Sequence, residues 1–526
     1  MKKNYRNLLS EEIEQLQLQR CHASDWTAIQ VAKDFNVNLI TNVNFEGHIC
    51  IGNQVTLQNI AVLRASGDTT FANGLKIDVL SEVGDLPVAI YDKLTSMEAA
   101  FEVMETNTNP DLVAKLQAKA RAYAEAIRCD ACIIEDRAIV KNCLELEDVH
   151  IGKEVEVIGA SRLKDVTLCD TNEGKPIHIG AQVVLEHVIV GTESMIVDGA
   201  QMDHCLVGQG CHIGRMYSAT TSLFFANCHF ENGEACAYFA GPYSVSHHKS
   251  TLMIACMTSF FNAGSGSNQS NHSYKMGPNK YGQLARGSKL GSNSYVYWPM
   301  QIGPFSTVIM HHTGHQDLRE LPFSLITEGQ DGKTHIVPGQ ALRSVGTRRD
   351  INKWPKRDQR TDTPACRLDR INFSMLNPYT IGYILKGLEV LKELKTEGKT
   401  EYKGCIISHR HIEGGIMLYQ QAITIYRGQQ AQRHLLQTTE GGTGEWQDYG
   451  GMLLPKAETY EALARGENFE DLEQYLTQWE SNWVDAHFDK EDHKRLIANG
   501  KSAENAWNTT LDIDGSCDLA ACQLNW

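Results

Sequence analysis

Through the first 310 residues, apolar positions alternate with polar ones in short runs that break at Gly, Asn and Asp corners. Beyond that point, apolar residues fall three and four apart over longer stretches. The first pattern predicts short strands and the second predicts helices packed on one face. The strand-like part is also periodic. Ile51-Gly52, Ile151-Gly152, Ile179-Gly180, Ile213-Gly214 and Ile302-Gly303 recur in one setting, mostly followed three residues on by Val55, Val155, Val183 or Ser306. A second phrase repeats as Asp165-Val-Thr-Leu168, His187-Val-Ile-Val190 and His204-Cys-Leu-Val207, the last two starting 17 residues apart. Cys211 and Cys228 are 17 apart, while His212, His229 and His247 are spaced by 17 and 18. A strand, a corner and a return to the same ladder position after one such period describe a coil of parallel β-helix.

The expected organisation is mainly β. An N-terminal helical segment covers 1–42, first β-helix coils 43–90, a helical insertion 91–129 and the main β-helix 130–315. A basic strap at 316–372 and a helical carboxyl-terminal region at 373–526 complete the chain. Within the insertion, Asn109 as N-cap and Pro110 at the first helical position predict a helix over 110–128. Later helical patterns fall at 374–396, 406–436, 456–479 and 488–507. The Glu440–Glu445 segment is Gly-rich but lacks the lysine and strand-to-helix setting of a phosphate loop.

Charge narrows the function classes. The chain has 526 residues and a net charge of −15, which argues against general nucleic-acid binding. That charge is uneven: residues 341–370 carry nine Lys or Arg against four Asp, +5 beside −20 for the rest. Small anionic ligands therefore stay within reach. The opening residues lack the apolar stretch of a secretory signal, and no run approaches the roughly 18 apolar residues of a bilayer span. A cytoplasmic protein without membrane partners is expected. Of the 15 cysteines, Cys129 with Cys132 and Cys517 with Cys522 are the close pairs. No second Cys-x-x-Cys completes a tetrahedral zinc set, so buried thiols are the expected reading.

Histidines mark the candidate chemistry. Nine of the 20 lie between 204 and 315. His212 and His229 are expected to stack on an exterior face, and His187 and His204 to be structural. The later groups, His247 and His248, Asn271 and His272 with Lys275, and His311, His312 and His315, sit where β-propensity gives way to Ser, Asn and Gly. A strand that surrenders propensity for polar groups commonly does so at a site. An imidazole there can serve as general base near neutral pH.

The Ile-Gly repeats at about 43–90 and 130–312 resemble the hexapeptide-repeat superfamily. That is the left-handed β-helix of bacterial acyltransferases and of the tail domain in sugar nucleotidyltransferases. The whole chain is also similar to a bacterial family known only as a domain of unknown function, sometimes labelled pyrophosphorylase-related. The resemblance implies a trimer and acyl transfer from acyl-CoA to a sugar or nucleotide sugar. His272 or His312 would be the general base, with His247 and His248 as partners. Asn271, Lys275, His311 and His315 would contact substrate, and Arg348 and Arg349 would bind its phosphates. Carbonic anhydrases of the same superfamily imply a zinc alternative, with His248, His272 and His312 as ligands. A non-catalytic scaffold or nucleotide-sugar-binding protein remains open. Nucleotidyl transfer by this chain alone is not expected, because the first repeat at residue 49 leaves no room for a preceding nucleotide-binding domain.

Overall fold

Parallel pairing with a 17-residue return organises most of the chain, and the apolar columns it builds explain the Ile-Gly signature. In a computed structural model, which describes residues 5–171, 174–271, 280–433 and 439–513, the protein is mainly β. Its short strands form a large, mostly parallel sheet, and a helical carboxyl-terminal region follows. The chain divides into two compact units: residues 1–257, 271–281 and 358–370, and residues 258–270, 282–357 and 371–526.

In the first unit, equivalent residues of successive strands stack into buried columns. One runs Leu57, Val140, Val157, Ile179, Ile196, Ile213 and Phe230, each fully buried. Another runs Leu146, Leu163, Leu185, Met202 and Ala219. Full burial of such a side chain is worth about 1.5–3 kcal/mol, so each column stabilises its ladder along the whole stack. The glycine after Ile is required by close approach. A Cβ on Gly152 would lie 2.6 Å from the backbone of Cys169 and Asp170, where no side chain fits.

The ladder begins earlier than the repeats suggest. Residues 1–42 hold one helix, α1 (Ser10–Leu18), and strands including Ile29–Val31, which pairs in parallel with His48–Ile51. Val31 occupies the column position of Ile51 but is followed by Ala32, so the Ile-Gly signature misses it. The expected N-terminal helical segment therefore mixes α1 with short strands that already join the ladder. The insertion contains α2 (Ser96–Glu105) and α3 (Pro110–Ile127). Thr95 starts α2 with a capping box, accepting from the Glu98 amide at 3.1 Å.

In the second unit parallel pairing runs through Ile302 with Leu318 and Val308 with Ile326. Strand Leu325–Glu328 then turns antiparallel to Thr334–Val337. The stretch expected as a basic strap therefore starts as ladder, because the register survives after the glycines are gone. It continues in α4 (Val345–Lys353), whereas residues 358–370 belong to the first unit. The carboxyl-terminal helices are α5 (Pro378–Glu397), α6 (His409–Arg433), α7 (Lys456–Arg465), α8 (Leu476–His487) and α9 (His493–Ile513). The 456–479 pattern splits because Gly466 takes a left-handed conformation (φ 87°) and caps α7.

Candidate functional site

Alternation within a strand sends Ile213 and Phe230 into the core and leaves their neighbours outside. His212 and His229 are those neighbours, paired in register on strands His212–Gly214 and His229–Glu231. Their rings are tilted by 60° with centroids 4.5 Å apart. On the next strand His229 pairs with Val245 and Phe230 with Ser246, so His247 falls beside Glu231. The His229 and His247 rings meet edge to face at 4.2 Å. Gly214 occupies the corresponding place one strand earlier, and a Cβ there would stand 3.3 Å from His212 Nε2. The result is a patch in which Gly214 makes room and three imidazoles surround one carboxylate.

That carboxylate is the centre of the patch. Glu231 Oε1 lies 3.5 Å from His212 Nε2 and 3.3 Å from His229 Nε2. Its Oε2 lies 4.0 Å from His247 Nδ1 and 3.2 Å from an Arg215 guanidinium nitrogen. Glu231 is only 7% exposed. Burial opposes its ionisation, but the His229 hydrogen bond and the charges of His229, Arg215 and His247 outweigh it, and its carboxyl sits below the ordinary range. Burial, with the neighbouring His247 and His212, pushes His229 down to about 4. Burial likewise lowers His247. The lowering at His229 and His247 favours their neutral form, the form in which an imidazole can ligate a metal.

Spacing agrees with that chemistry. Ligand atoms of His212, His229 and Glu231 all lie within 4.8 Å of one another. Two ligands each about 2.0–2.2 Å from a tetrahedral cation stand roughly 3.4 Å apart. The two Glu231–histidine separations fit that edge.

The other expected residues are placed differently. His248 is exposed next to the patch. Asn271 is buried and donates its amide to Glu82. His272 and Lys275 lie outside the described residues. His311 is exposed, with Nε2 3.1 Å from the Asn293 carbonyl. His315 is exposed, its ring 4.9 Å from that of Tyr297. His312 corrects the expectation: it is fully buried, with Nδ1 2.9 Å from Thr334 Oγ1 and Nε2 2.9 Å from the Ile309 carbonyl. Both nitrogens are in use, which fits neither a general base nor a zinc ligand, so the set of His248, His272 and His312 loses a member. Alternation within strand His311–His312 turns His312 inward beside Val296.

Arg348 donates to Asn508 and lies 5.1 Å over the Trp507 ring, bordering a cavity of about 260 Å³. Arg349 is exposed and pairs with Asp350 at 3.1 Å. Cys129 and Cys132 each donate to a backbone carbonyl, and burial pushes Cys132 up to about 12, so it stays a thiol. Cys517 and Cys522 lie outside the described residues. Glu231 itself was not among the expected residues. Its signal was its position, 17 residues after Gly214 and 16 before His247.

Fold and site together define a mainly β protein of stacked parallel ladders with an outward-facing histidine–carboxylate patch. The chain belongs to the family described as Domain of unknown function (DUF4954), whose model matches residues 5–56 and 48–395. It is also similar, at 22% identity over 453 residues, to a Treponema pallidum (strain Nichols) protein named "Uncharacterized protein". That match covers 74% of this chain and 61% of the relative's length, so the chain spans less than two thirds of it. No helix among the described residues is long and apolar enough to cross a membrane.

Proposed function

We propose that the protein is a metal-dependent enzyme of the hexapeptide-repeat type, built on a left-handed β-helix. In this reading His212, His229 and Glu231 hold a divalent transition metal, with His247 completing the set. The observation that carries it is the convergence of three imidazoles on one buried carboxylate at ligand-edge spacing. Such a cation supplies Lewis acidity and activates water for hydration or hydrolysis of a small electrophile. Arg215, 63% exposed at its side chain, holds Glu231 from the solvent side and can orient an anionic substrate. The exposed outer face leaves the ion open to that substrate.

Metal content and zinc titration of the full-length protein test the reading. One tightly bound ion is expected at this patch, lost in His229→Ala and weakened in Glu231→Gln, with esterase or hydratase turnover falling in parallel. Wild-type and His229→Ala proteins with the same metal content would overturn it.

Acyl transfer is a second reading, favoured by His311 rather than His312. A proton on His311 Nε2 satisfies the Asn293 carbonyl and leaves the Nδ1 lone pair as a base on an exposed ring. Acyl-CoA consumption with sugar or nucleotide-sugar acceptors, abolished in His311→Ala, would support it. Turnover unchanged in that variant would remove it.

A further inference from the structure

A second histidine pair has its own carboxylates and stands on a different column of the same ladder. His187 and His204 lie on strands Val184–Val190 and Gln201–Val207, whose registered pairs place them opposite each other. Both adopt left-handed backbone, at φ 56° and 51°. The same corner is left-handed at Asp148, Asp165 and Thr221, which occupy the equivalent positions on neighbouring strands. Asp and His tolerate this conformation better than most residues, so corner geometry accounts for their residue types. It does not account for how the side chains meet.

The His187 and His204 rings are 4.6 Å apart. His187 Nδ1 lies 3.1 Å from Asp165 Oδ2, and His204 Nδ1 lies 2.6 Å from Asp203 Oδ1. The other Asp165 oxygen is anchored by the Thr69 hydroxyl at 2.9 Å and the Ala72 amide at 3.0 Å. A proton on each Nδ1 satisfies its carboxylate and leaves both Nε2 lone pairs for a ligand. This is the carboxylate–histidine arrangement that orients metal-binding imidazoles and raises their basicity. Ligand atoms of His187, His204 and Asp203 lie within 4.8 Å of one another. Among the described residues no Lys or Arg forms an ion pair with Asp165 or Asp203. Glu231, by contrast, has Arg215 beside it. Two imidazoles with two carboxylates left without a basic partner make a negatively charged, half-exposed cradle.

We infer that His187 and His204 form a second site for a divalent first-row transition cation, with Asp165 orienting His187 and Asp203 orienting His204. Imidazole donors backed by carboxylates suit zinc, manganese or iron(II) over calcium or magnesium, which prefer all-oxygen shells. The site stands on its own geometry, independent of the Glu231 patch.

Zinc chloride titration of chelator-stripped full-length protein, followed by calorimetry and metal analysis, tests it. Wild type should take up two ions per chain. His187→Ala with His204→Ala should lose one and keep the other, and His212→Ala with His229→Ala should show the converse loss. Asp165→Asn should bind the second ion about 10–100-fold more weakly without changing the fold, read by circular dichroism. This conservative variant decides the matter if the double alanine variant fails to fold. Wild-type stoichiometry and affinity in His187→Ala/His204→Ala, or an unchanged isotherm in Asp165→Asn, would overturn the inference. A single wild-type ion lost only in His187→Ala/His204→Ala would uphold this site and overturn the Glu231 one.

Discussion

Replacing Glu102 by Gln should remove a pH-dependent loss of stability from the helical insertion. Glu102 sits on α2 and is 1% exposed. Its Oε2 accepts from Gln117 Nε2 at 3.2 Å and from the Ala89 amide at 3.4 Å. Burial pushes its carboxyl up to about 8 from an ordinary 4.5, with Glu98 adding and Gln117, Ala89 and Lys76 opposing. Folded protein therefore holds a proton on Glu102 that the unfolded chain releases above about 4.5. The stabilisation is full below that pH, declines as pH rises, and is gone above about 8. At about 1.4 kcal/mol per pH unit, the ceiling on this loss is on the order of 5 kcal/mol. Rearrangement that admits water at high pH makes 2–3 kcal/mol a fair expectation. Glutamine keeps an acceptor for Gln117 and Ala89 and never ionises. Hydrogen exchange of the α2 amides, corrected for intrinsic rates, reads this region separately from the second unit. Wild-type protection should fall from pH 5 to pH 8 relative to Glu102→Gln, and the two should converge near pH 4.5. Equal pH dependence in both proteins would refute the argument.

Four further substitutions probe the ladder and the second unit. Gly152→Ala places a Cβ against backbone 2.6 Å away and should cost about 1–3 kcal/mol by urea denaturation. Ile213→Ala empties a fully buried column position between Ile196 and Phe230. It should cost about 2–5 kcal/mol, whereas Ile158→Ala, at a position 37% exposed, should cost under about 1 kcal/mol. Asp448→Ala removes the carboxylate 3.6 Å from Arg286, whose side chain is 1% exposed and lies 4.8 Å from the Phe260 ring. The buried guanidinium is then uncompensated, and the transition of the second unit should drop by about 3–5 kcal/mol, read by thermal denaturation.

The ladder was legible wherever packing forces a residue type. The glycine of Ile151-Gly152 sits against the next strand's backbone, which admits no Cβ, so the motif records a contact. Where alanine follows, as at Val31-Ala32, or where other residues make the turn, as at Leu318 and Ile326, pairing persists without the motif. That is why strands at both ends fell outside the expected limits. Helices α5 and α6 were visible from sustained apolar spacing, and α2 falls inside the helical insertion expected at 91–129, although nine of its ten residues are buried, including Glu98, Glu102 and Glu105.

The site was half legible for a related reason. The spacing of His212, His229 and His247 already placed them on successive repeats, yet spacing cannot say that His247 leaves the His212–His229 column or what stands in the adjacent one. Glu231 belongs to that adjacent column, between Gly214 and His247. Only the registered ladder shows that a glycine, a glutamate and a histidine follow one another there. The difference matters chemically. Three imidazoles alone would hold no fixed negative charge, whereas Glu231 places a carboxylate within 4.0 Å of a nitrogen of each. The polar clusters at 272 and 311–315 were more conspicuous in composition, but His312 shows how composition misleads: strand alternation turned it inward, and Thr334 and Ile309 took both its nitrogens. In a repeating ladder, register decides which side chains become neighbours across strands, so the patch that converges was written in two interleaved periods rather than in any contiguous motif.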